Sequence, residues 1–137
     1  MAIDVLLSPL SASGNLIIVK DVNGTAYLPD WDYNGIGDLD FKEGYLVKTN
    51  SAQSIDLCGE QLLPEQQPID LDVGWNMFAY LRLDPANTVL VMDDVKDYIV
   101  LVKDVMGNAY LPQFDFNGIG DLESGKGYLV KMTSYQT

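Results

Sequence analysis

The chain has 137 residues, of which 47% are hydrophobic, and this is the length of one ordinary folded domain. Its 20 acidic and 8 basic residues give a net charge of −12, which repels phosphate backbones and anionic bilayers, so we expect neither a nucleic acid nor a membrane as partner. Histidine is absent, which removes the commonest general base and every Ser–His or Cys–His pair, so we expect no enzyme and assign no catalytic residue.

The first strands predicted along the chain form a β-hairpin. Leu16–Val19 is a continuous apolar run rich in β-branched residues. Asn23-Gly24 follows it, and this pairing suits the positive φ angles of a tight turn. Thr25–Leu28 returns as the second strand, and Pro29 ends it because proline has no backbone N–H to donate.

An acidic loop and three further strands are predicted after the hairpin. The loop runs from Asp30 to Asp40, and Gly44–Thr49 follows it as a strand. Ser54–Cys58 and Ile69–Val73 alternate apolar and polar residues with the period of a half-buried strand. Cys58 is the only cysteine, so no internal disulfide can form, and we expect it to be a small buried hydrophobe.

A longer strand and a short helix are predicted next. Both faces of Gly74–Leu83 carry aromatic side chains, so we expect this strand to be central in its sheet. Asp84-Pro85 then resembles a helix N-cap followed by a first-turn proline. Three apolar residues follow at helical spacing: Met92, Val95 and Ile99. Near the N-terminus, Ile3–Leu10 matches this helix with a slip of one residue.

The hairpin, the acidic loop and the strand after it occur twice. Positions 17–48 and 100–131 align without a gap at a constant offset, since Lys20 pairs with Lys103 and 103 − 20 = 83. Both copies keep the turn glycines and the apolar strands, so the shared residues specify a backbone and not a reaction. Repeats at a fixed spacing are modules that need a neighbour to complete their cores.

We therefore predict a single domain, residues 1–137, built from two repeats. The first repeat, 1–83, has all the predicted elements, whereas the second, 84–137, lacks the last two strands. An unfinished sheet offers unpaired backbone groups at its edge. We expect the missing strands to come from the first repeat, from a second subunit or from a partner, which predicts a homo-oligomer or an assembly with other structural subunits.

The acidic loop of the first copy imitates a calcium-binding loop. Four oxygen-bearing side chains have the spacing found among the first nine positions of such a loop: Asp30, Asp32, Asn34 and Asp38. The twelfth position, which normally holds a bidentate Glu, is Phe41. The simpler interpretation is a turn in which Asp32, Asn34 and Asp38 hydrogen-bond their own backbone. Calcium is the one cofactor that the sequence leaves open, and only in the first copy.

Aromatic residues occupy the same two loop positions in both copies: Trp31, Tyr33, Phe114 and Phe116. An exposed pair would stack on sugar rings and so bind a glycan. The alternative, which we favour, is that these side chains fold inward and cap the core, because aromatic side chains bury large areas. Four further tyrosines are interpreted as core residues within strands: Tyr27, Tyr45, Tyr110 and Tyr128.

Four motifs run through the second half of the chain. They are Gly-Trp-Asn from Gly74, Ile-Val-x-Val-Lys-Asp from Ile99, Phe-Asn-Gly-Ile-Gly-Asp-Leu from Phe116 and Gly-Lys-Gly-Tyr-Leu-Val-Lys from Gly125. Together they resemble a repeat module of virion structural proteins of marine bacteriophages, and related modules in extracellular proteins of some bacteria are similar. The match covers nearly all of 75–131 and, through the duplication, 16–48. The resemblance implies a building or adhesion module without a reaction.

The predicted fold is all-β, a small barrel or sandwich with an internal pseudo-two-fold repeat and one or two short helices. The predicted function is that of a non-enzymatic structural or interaction module, a phage virion component that assembles through β-sheet edges. No signal-peptide pattern is present at the N-terminus, which favours assembly in a host cytoplasm. The alternative is an extracellular or cell-surface adhesion module that binds a glycan or calcium.

Overall fold

The computed structural model describes residues 1–137 and shows a mainly β fold, as predicted, with three short α-helices. Every strand pair is antiparallel. The helices are α1 (Ile3–Leu6), α2 (Ser8–Ala12) and α3 (Thr88–Val91). The strands are β1 (Leu16–Lys20), β2 (Ala26–Leu28), β3 (Tyr33–Asn34), β4 (Leu46–Thr49), β5 (Gly74–Ala79), β6 (Ala86–Asn87), β7 (Ile99–Lys103), β8 (Ala109–Leu111), β9 (Phe116–Asn117), β10 (Asp121–Leu122) and β11 (Gly127–Met132).

The chain divides into two compact units, an N-terminal unit, Met1–Gln61, and a C-terminal unit, Leu62–Thr137. The N-terminal unit has one four-stranded sheet in the order β3-β2-β1-β4. The C-terminal unit has a five-stranded sheet in the order β5-β11-β7-β8-β9 and a small pair, β10-β6. Both larger sheets have a linear strand order, and no strand pairing joins their ends into a barrel.

The strand pairings of the two units correspond at the offset of the repeat. Val19 lies opposite Tyr27 in the first hairpin, and Val102 lies opposite Tyr110 in the second. The same correspondence holds between the β2–β3 and β8–β9 pairs and between the β1–β4 and β7–β11 pairs. Strands β1, β2, β3 and β4 therefore correspond to β7, β8, β9 and β11.

Strand β5 has no counterpart in the N-terminal unit. It pairs with β11 from Gly74, opposite Met132, to Ala79, opposite Gly127. The prediction of a central strand was wrong, because β5 lies at the edge of its sheet. The sequence assigned this strand to the first repeat, and the structure pairs it with a strand of the second. The boundary between the compact units lies between residues 61 and 62, whereas the predicted boundary between the repeats lies between 83 and 84.

Each hairpin turn is built around an aspartate. The Oδ1 atom of Asp21 accepts the backbone N–H groups of Asn23 at 2.9 Å and Thr25 at 2.8 Å. Gly24 is the one residue of this turn with a positive φ, at 82°. Asp104 accepts the equivalent hydrogen bonds in the turn of the C-terminal unit. The predicted positive φ at Asn23 was wrong, because three residues lie between the hydrogen-bonded Asp21 and Thr25, and only the last of them, Gly24, is left-handed.

Helix α3 is shorter than its apolar spacing predicts. Its N-cap is Asn87, whose Oδ1 accepts the Val89 N–H at 3.0 Å, and not the predicted aspartate–proline pair. Ile99, which was predicted on the helix, is the first residue of β7. A tertiary contact sets the start of the helix, since the backbone N–H and the Oγ1 of Thr88 both donate to the Gly120 carbonyl. No helix of the chain has the length and hydropathy needed to cross a bilayer.

Helix α1 occupies the corresponding place in the N-terminal unit. The Ile3 N–H donates to the Gly37 carbonyl at 2.9 Å, and the Thr88 N–H donates to the Gly120 carbonyl at 3.0 Å. The acceptors differ by 120 − 37 = 83 positions and the donors by 88 − 3 = 85. The helices thus match with a slip of two residues and not one, because two fewer residues separate helix from strand in the second copy.

Each unit has its own core. Six buried hydrophobic residues form the core of the N-terminal unit: Ile3, Leu7, Leu10, Leu16, Val19 and Tyr27. Eleven form the core of the C-terminal unit: Leu71, Phe78, Tyr80, Met92, Ile99, Val102, Tyr110, Leu122, Tyr128, Val130 and Met132. The buried positions of Tyr27, Tyr110 and Tyr128 confirm their prediction as core residues, whereas Tyr45 is only partly buried.

The segment between β4 and β5 is largely irregular. Ser54–Cys58, predicted as a strand, forms no strand pairing, and in Ile69–Val73 only Leu71 makes an isolated bridge, to Gln136. Cys58 was expected to be buried and is exposed. Alternation of apolar and polar residues does not by itself form a strand, because a strand also needs a neighbouring edge to bind its backbone groups.

Candidate functional site

Strand β4 forms one edge of the N-terminal sheet. It pairs with β1 on one side, and no strand pairs with its other side. Its counterpart in the C-terminal unit, β11, lies between β7 and β5. The outer side of β4 therefore presents unpaired backbone N–H and C=O groups, which are the groups that bind an added strand.

The middle residue of the same short sequence is exposed in one unit and buried in the other. Leu46-Val47-Lys48 and Leu129-Val130-Lys131 are identical and lie 83 positions apart, since 130 − 47 = 83. The Val47 side chain is 51% exposed, whereas Val130 is completely buried. Because the residue type and the strand pairing with β1 or β7 are the same, the difference comes from what lies beyond each strand.

Three side chains beyond β11 cover this strand in the C-terminal unit. Leu71, Phe78 and Tyr80 belong to the same core cluster as Val130, and the Phe78 ring centroid lies 5.9 Å from that of Tyr128. The Tyr80 hydroxyl donates to a backbone carbonyl at 2.7 Å, and burial raises the pKa of Tyr80 above its ordinary value. These side chains come from β5 and the segments beside it, for which the N-terminal unit has no counterpart.

A cation lies on each of the two corresponding strands. Lys131 lies opposite Trp75 in the β11–β5 pairing, and its Nζ is 5.7 Å from the centroid of the indole ring. This is a distance at which a cation is attracted by an aromatic face. Lys48, the counterpart of Lys131, makes no salt bridge or aromatic contact.

The loop aromatics are exposed in both units. Trp31 is 80% exposed and Phe114 is 75% exposed, and Tyr33 and Phe116 are each 53% exposed. The favoured prediction that these side chains cap the core was therefore wrong. The loops that carry them begin with a 3₁₀ turn. This turn ends at a residue with left-handed backbone, which is Asp32 in the first copy and Asp115 in the second.

A glycine lies beneath the second aromatic ring of each loop. A Cβ on Gly35 would lie 2.7 Å from the Tyr33 hydroxyl, and one on Gly118 would lie 3.0 Å from a ring carbon of Phe116. A side chain at either position would therefore push the ring or the nearby backbone away, and glycine lets the ring lie close to the backbone without this shift. The loop sequence thus holds each of these rings in place while leaving about half of it open to solvent.

The structure does not gather the acidic residues predicted as calcium ligands into one cluster. The Asn34 Oδ1 accepts the Gly37 N–H at 2.8 Å, and its amide group donates to Asp4. The Asp38 carboxylate lies 3.8 Å from the N-terminal ammonium group. No group of three or more His, Cys, Asp or Glu side chains is placed to hold a metal, so Asp30, Asp32 and Asp38 are not brought together. Of the three residues predicted to hydrogen-bond their own backbone, Asn34 does so, with the N–H of Gly37 three residues on.

A groove of about 310 Å³ lies in the C-terminal unit, and sequence reasoning did not find it. Its walls are largely apolar, with Ile69, Leu71 and Phe78 among them. Asp94 is its only acidic lining residue, so the groove does not contain the pair of carboxylates that a glycoside hydrolase needs.

No protein-family model, curated protein or solved structure matches this chain. Two features of the geometry therefore remain as candidate sites. The edge of β4 offers backbone groups and apolar side chains to a protein strand, and the loop aromatics offer flat rings to a small planar or sugar ligand. The edge is the stronger candidate, because the corresponding edge of the C-terminal unit binds a strand.

Proposed function

We propose that the protein is a non-enzymatic structural or interaction module of a phage particle, which assembles through the edges of its β-sheets. The observation that supports this proposal is the exposed edge of β4, where Leu46 is 43% exposed and Val47 is 51% exposed. Main-chain hydrogen bonds to such an edge supply affinity, and its side chains supply specificity. Proteins that stay monomeric usually protect an edge with several charges or with proline, and β4 has only Lys48.

The rest of the molecule supports a role without catalysis. The chain has no histidine, and the groove of the C-terminal unit has a single carboxylate. Tyr80 and Tyr110 are buried in the core, and burial raises their pKa values from the ordinary 10.0, further away from neutral pH. The resemblance of the repeated motifs to phage virion modules supports assembly with further copies or with other structural subunits in a host cytoplasm.

Self-association through β4 can be tested with one substitution. We expect the wild-type chain to show a molar mass that rises with concentration in light scattering, and Val47→Lys to remain monomeric, because the new charge would have to be buried at the edge. Val105→Lys is the matched control, since Val105 is 77% exposed in a hairpin turn of the other unit. A wild-type chain that is monomeric at every concentration, or equal association of both variants, would contradict assembly of this chain through β4.

A second candidate function is supported by the exposed loop aromatics. Flat rings such as Trp31 and Phe114 stack on sugar rings, and this favours a glycan-binding adhesion module on a cell surface. We expect Trp31→Ala to abolish binding on a glycan array without changing the free energy of unfolding, because the side chain is 80% exposed. Leu90→Ala is the control, since Leu90 is 75% exposed and lies outside the loops. An array without any bound glycan would reject this candidate.

A further inference from the structure

The C-terminal unit shows how the open edge of the N-terminal unit is filled. We propose that β4 binds an extended strand of the pattern Gly-Trp-Asn-x-Phe-x-Tyr, donated by another polypeptide. This inference rests on the proposed function and names the partner of the edge. The pattern is that of Gly74–Tyr80, the segment of this chain that includes β5 and its buried aromatic residues.

The backbone of β4 has the register that such a strand needs. In the C-terminal unit, β5 runs antiparallel to β11 through six consecutive residue pairs, which include Asn76 opposite Val130 and Trp75 opposite Lys131. Shifting these pairs by 83 positions places Asn and Trp of the donated strand opposite Val47 and Lys48. Because three consecutive residues of β4 and β11 are identical, the donated strand meets the same side chains in both units.

The core of the N-terminal unit has places that this strand would cover. Four positions are at least partly exposed there and are buried in the C-terminal unit: Leu39, Tyr45, Val47 and Thr49, with the buried counterparts Leu122, Tyr128, Val130 and Met132. Phe78 packs against Tyr128 and shares the core cluster with Val130. A donated Phe at the same register would therefore pack against Tyr45 and Val47. The Tyr of the pattern, two positions after the Phe, would cover more of the same apolar surface.

The charged residue of the edge favours the same partner. Lys131 attracts the face of Trp75, and Lys48 has no such contact. A donated Trp opposite Lys48 would supply a cation–π contact in the same register. The tryptophan of the pattern is thus recognised by a residue that is already placed on β4.

The donated strand must be free in its own molecule. The β5 strand of this chain is paired with β11 along six residues, so a second copy would have to give up that pairing to donate it. Such an exchange would open the edge of β11 in one copy in order to fill the edge of β4 in another. It would therefore add little net stabilisation. The fitting partner is therefore a strand of this pattern that has no partner in its own fold, and it would compete with association of two copies through their β4 edges.

A synthetic peptide tests the proposal with the full-length chain. The peptide has the sequence of Leu71–Leu83, carries a fluorescent label and is titrated with protein while its anisotropy is measured. We expect saturable binding, at least about tenfold weaker binding to Val47→Lys, and unchanged binding to Val105→Lys. Peptides with Phe78→Ala or Tyr80→Ala should also bind more weakly. Val47→Thr keeps a β-branched side chain, and we expect it to bind more tightly than Val47→Lys.

Hydrogen exchange identifies the strand that the peptide binds. We expect the amides of Leu46–Thr49 to become protected when peptide is added, and those of Gly127–Met132 to stay unchanged. Absence of binding, equal binding to Val47→Lys and wild type, or a change confined to Gly127–Met132 would overturn the proposal. A chain that self-associates through β4 but does not bind the peptide would keep the proposed function and reject this inference. Binding of the peptide by a chain that stays monomeric would support the inference and reject self-association.

Discussion

Two aspartates hold the hairpin turns at the same point of both units. Asp21 and Asp104 each accept two backbone N–H groups of their turn. Asp104 also accepts the side-chain N–H of Asn108 at 2.8 Å, whereas Thr25 stands at that position in the first copy. Burial alone would raise the pKa of Asp104, but the hydrogen bonds from Asn108 and the turn backbone outweigh it and lower the pKa.

This residue has a predictable pH dependence. Near neutral pH, Asp104→Ala should lower the free energy of unfolding by about 1 kcal/mol, because charge-assisted hydrogen bonds are lost. The contribution is fully present above the unfolded-state pKa, near the ordinary value of 3.8, and it is lost as the pH falls through the lower folded-state pKa. Urea titrations of wild type and variant should therefore converge in acid.

Asp94→Ala is the control for this measurement, because Asp94 is exposed and makes no hydrogen bond in the turns. It should leave the free energy of unfolding almost unchanged. A gap between wild type and Asp104→Ala that does not narrow in acid would show that the carboxylate does not act through its charge.

At the scale of the strands, one sequence has two energetic roles. Val47 and Val130 occupy equivalent positions of β4 and β11, and each lies opposite a buried valine of the neighbouring strand. Only Val130 is covered on its other side, by the side chains of β5 and its flanking segments. The hydrophobic contribution follows the apolar area that is removed from water, so the two valines stabilise their units unequally.

Truncation of the two valines should separate these roles. We expect Val130→Ala to lower the free energy of unfolding of its unit by about 2 kcal/mol, since it leaves a cavity in a packed core. Val47→Ala should cost about 0.5 kcal/mol or less, because half of its side chain already contacts water. Native-state hydrogen exchange measures both values, unit by unit. Equal losses would mean that a partner covers β4 in solution.

At the scale of the whole molecule, the two units have cores of unequal size. Six buried hydrophobic residues hold the N-terminal unit together and eleven hold the C-terminal unit together. Small cores give marginal stability, and the unit without its edge strand has the smaller one. We therefore expect the uncovered side of β4 to make the N-terminal unit the less stable of the two.

We therefore expect the chain to unfold in two steps on heating, with the N-terminal unit first. Calorimetry should show two transitions, and hydrogen exchange should show faster opening of β1 and β2 than of β7 and β8. Val130→Ala should move only the later transition. A single transition in which all amides open together would contradict separate cores.

The strands that sequence reasoning placed well are those whose signals are local. The strand after the acidic loop was predicted in both copies and forms β4 and β11, and both hairpins were found, because turn glycines and β-branched runs act on their immediate neighbours. The helix at Thr88 and the irregular segment around Cys58 were misjudged. The helix depends on a distant acceptor, the Gly120 carbonyl. The segment around Cys58 is irregular because no strand edge lies beside it to pair with.

The candidate sites divide in the same way. The sequence identified the loop positions of Trp31 and Phe114 but favoured the wrong orientation, because whether a ring packs or faces water depends on the surface beneath it. It also predicted an unfinished sheet but placed it in the second copy. The structure leaves the open edge in the first, since β5 pairs with β11, which belongs to the second copy.

The amino-acid sequence by itself determined the duplicated hairpin, its turns and the all-β class, because these follow from the local spacing of glycine, aspartate and apolar residues. Only the tertiary structure decided in which copy of Leu-Val-Lys the valine is buried and in which it is exposed. Identical residues carry identical local preferences, so the difference lies in a long-range pairing that one copy has and the other lacks.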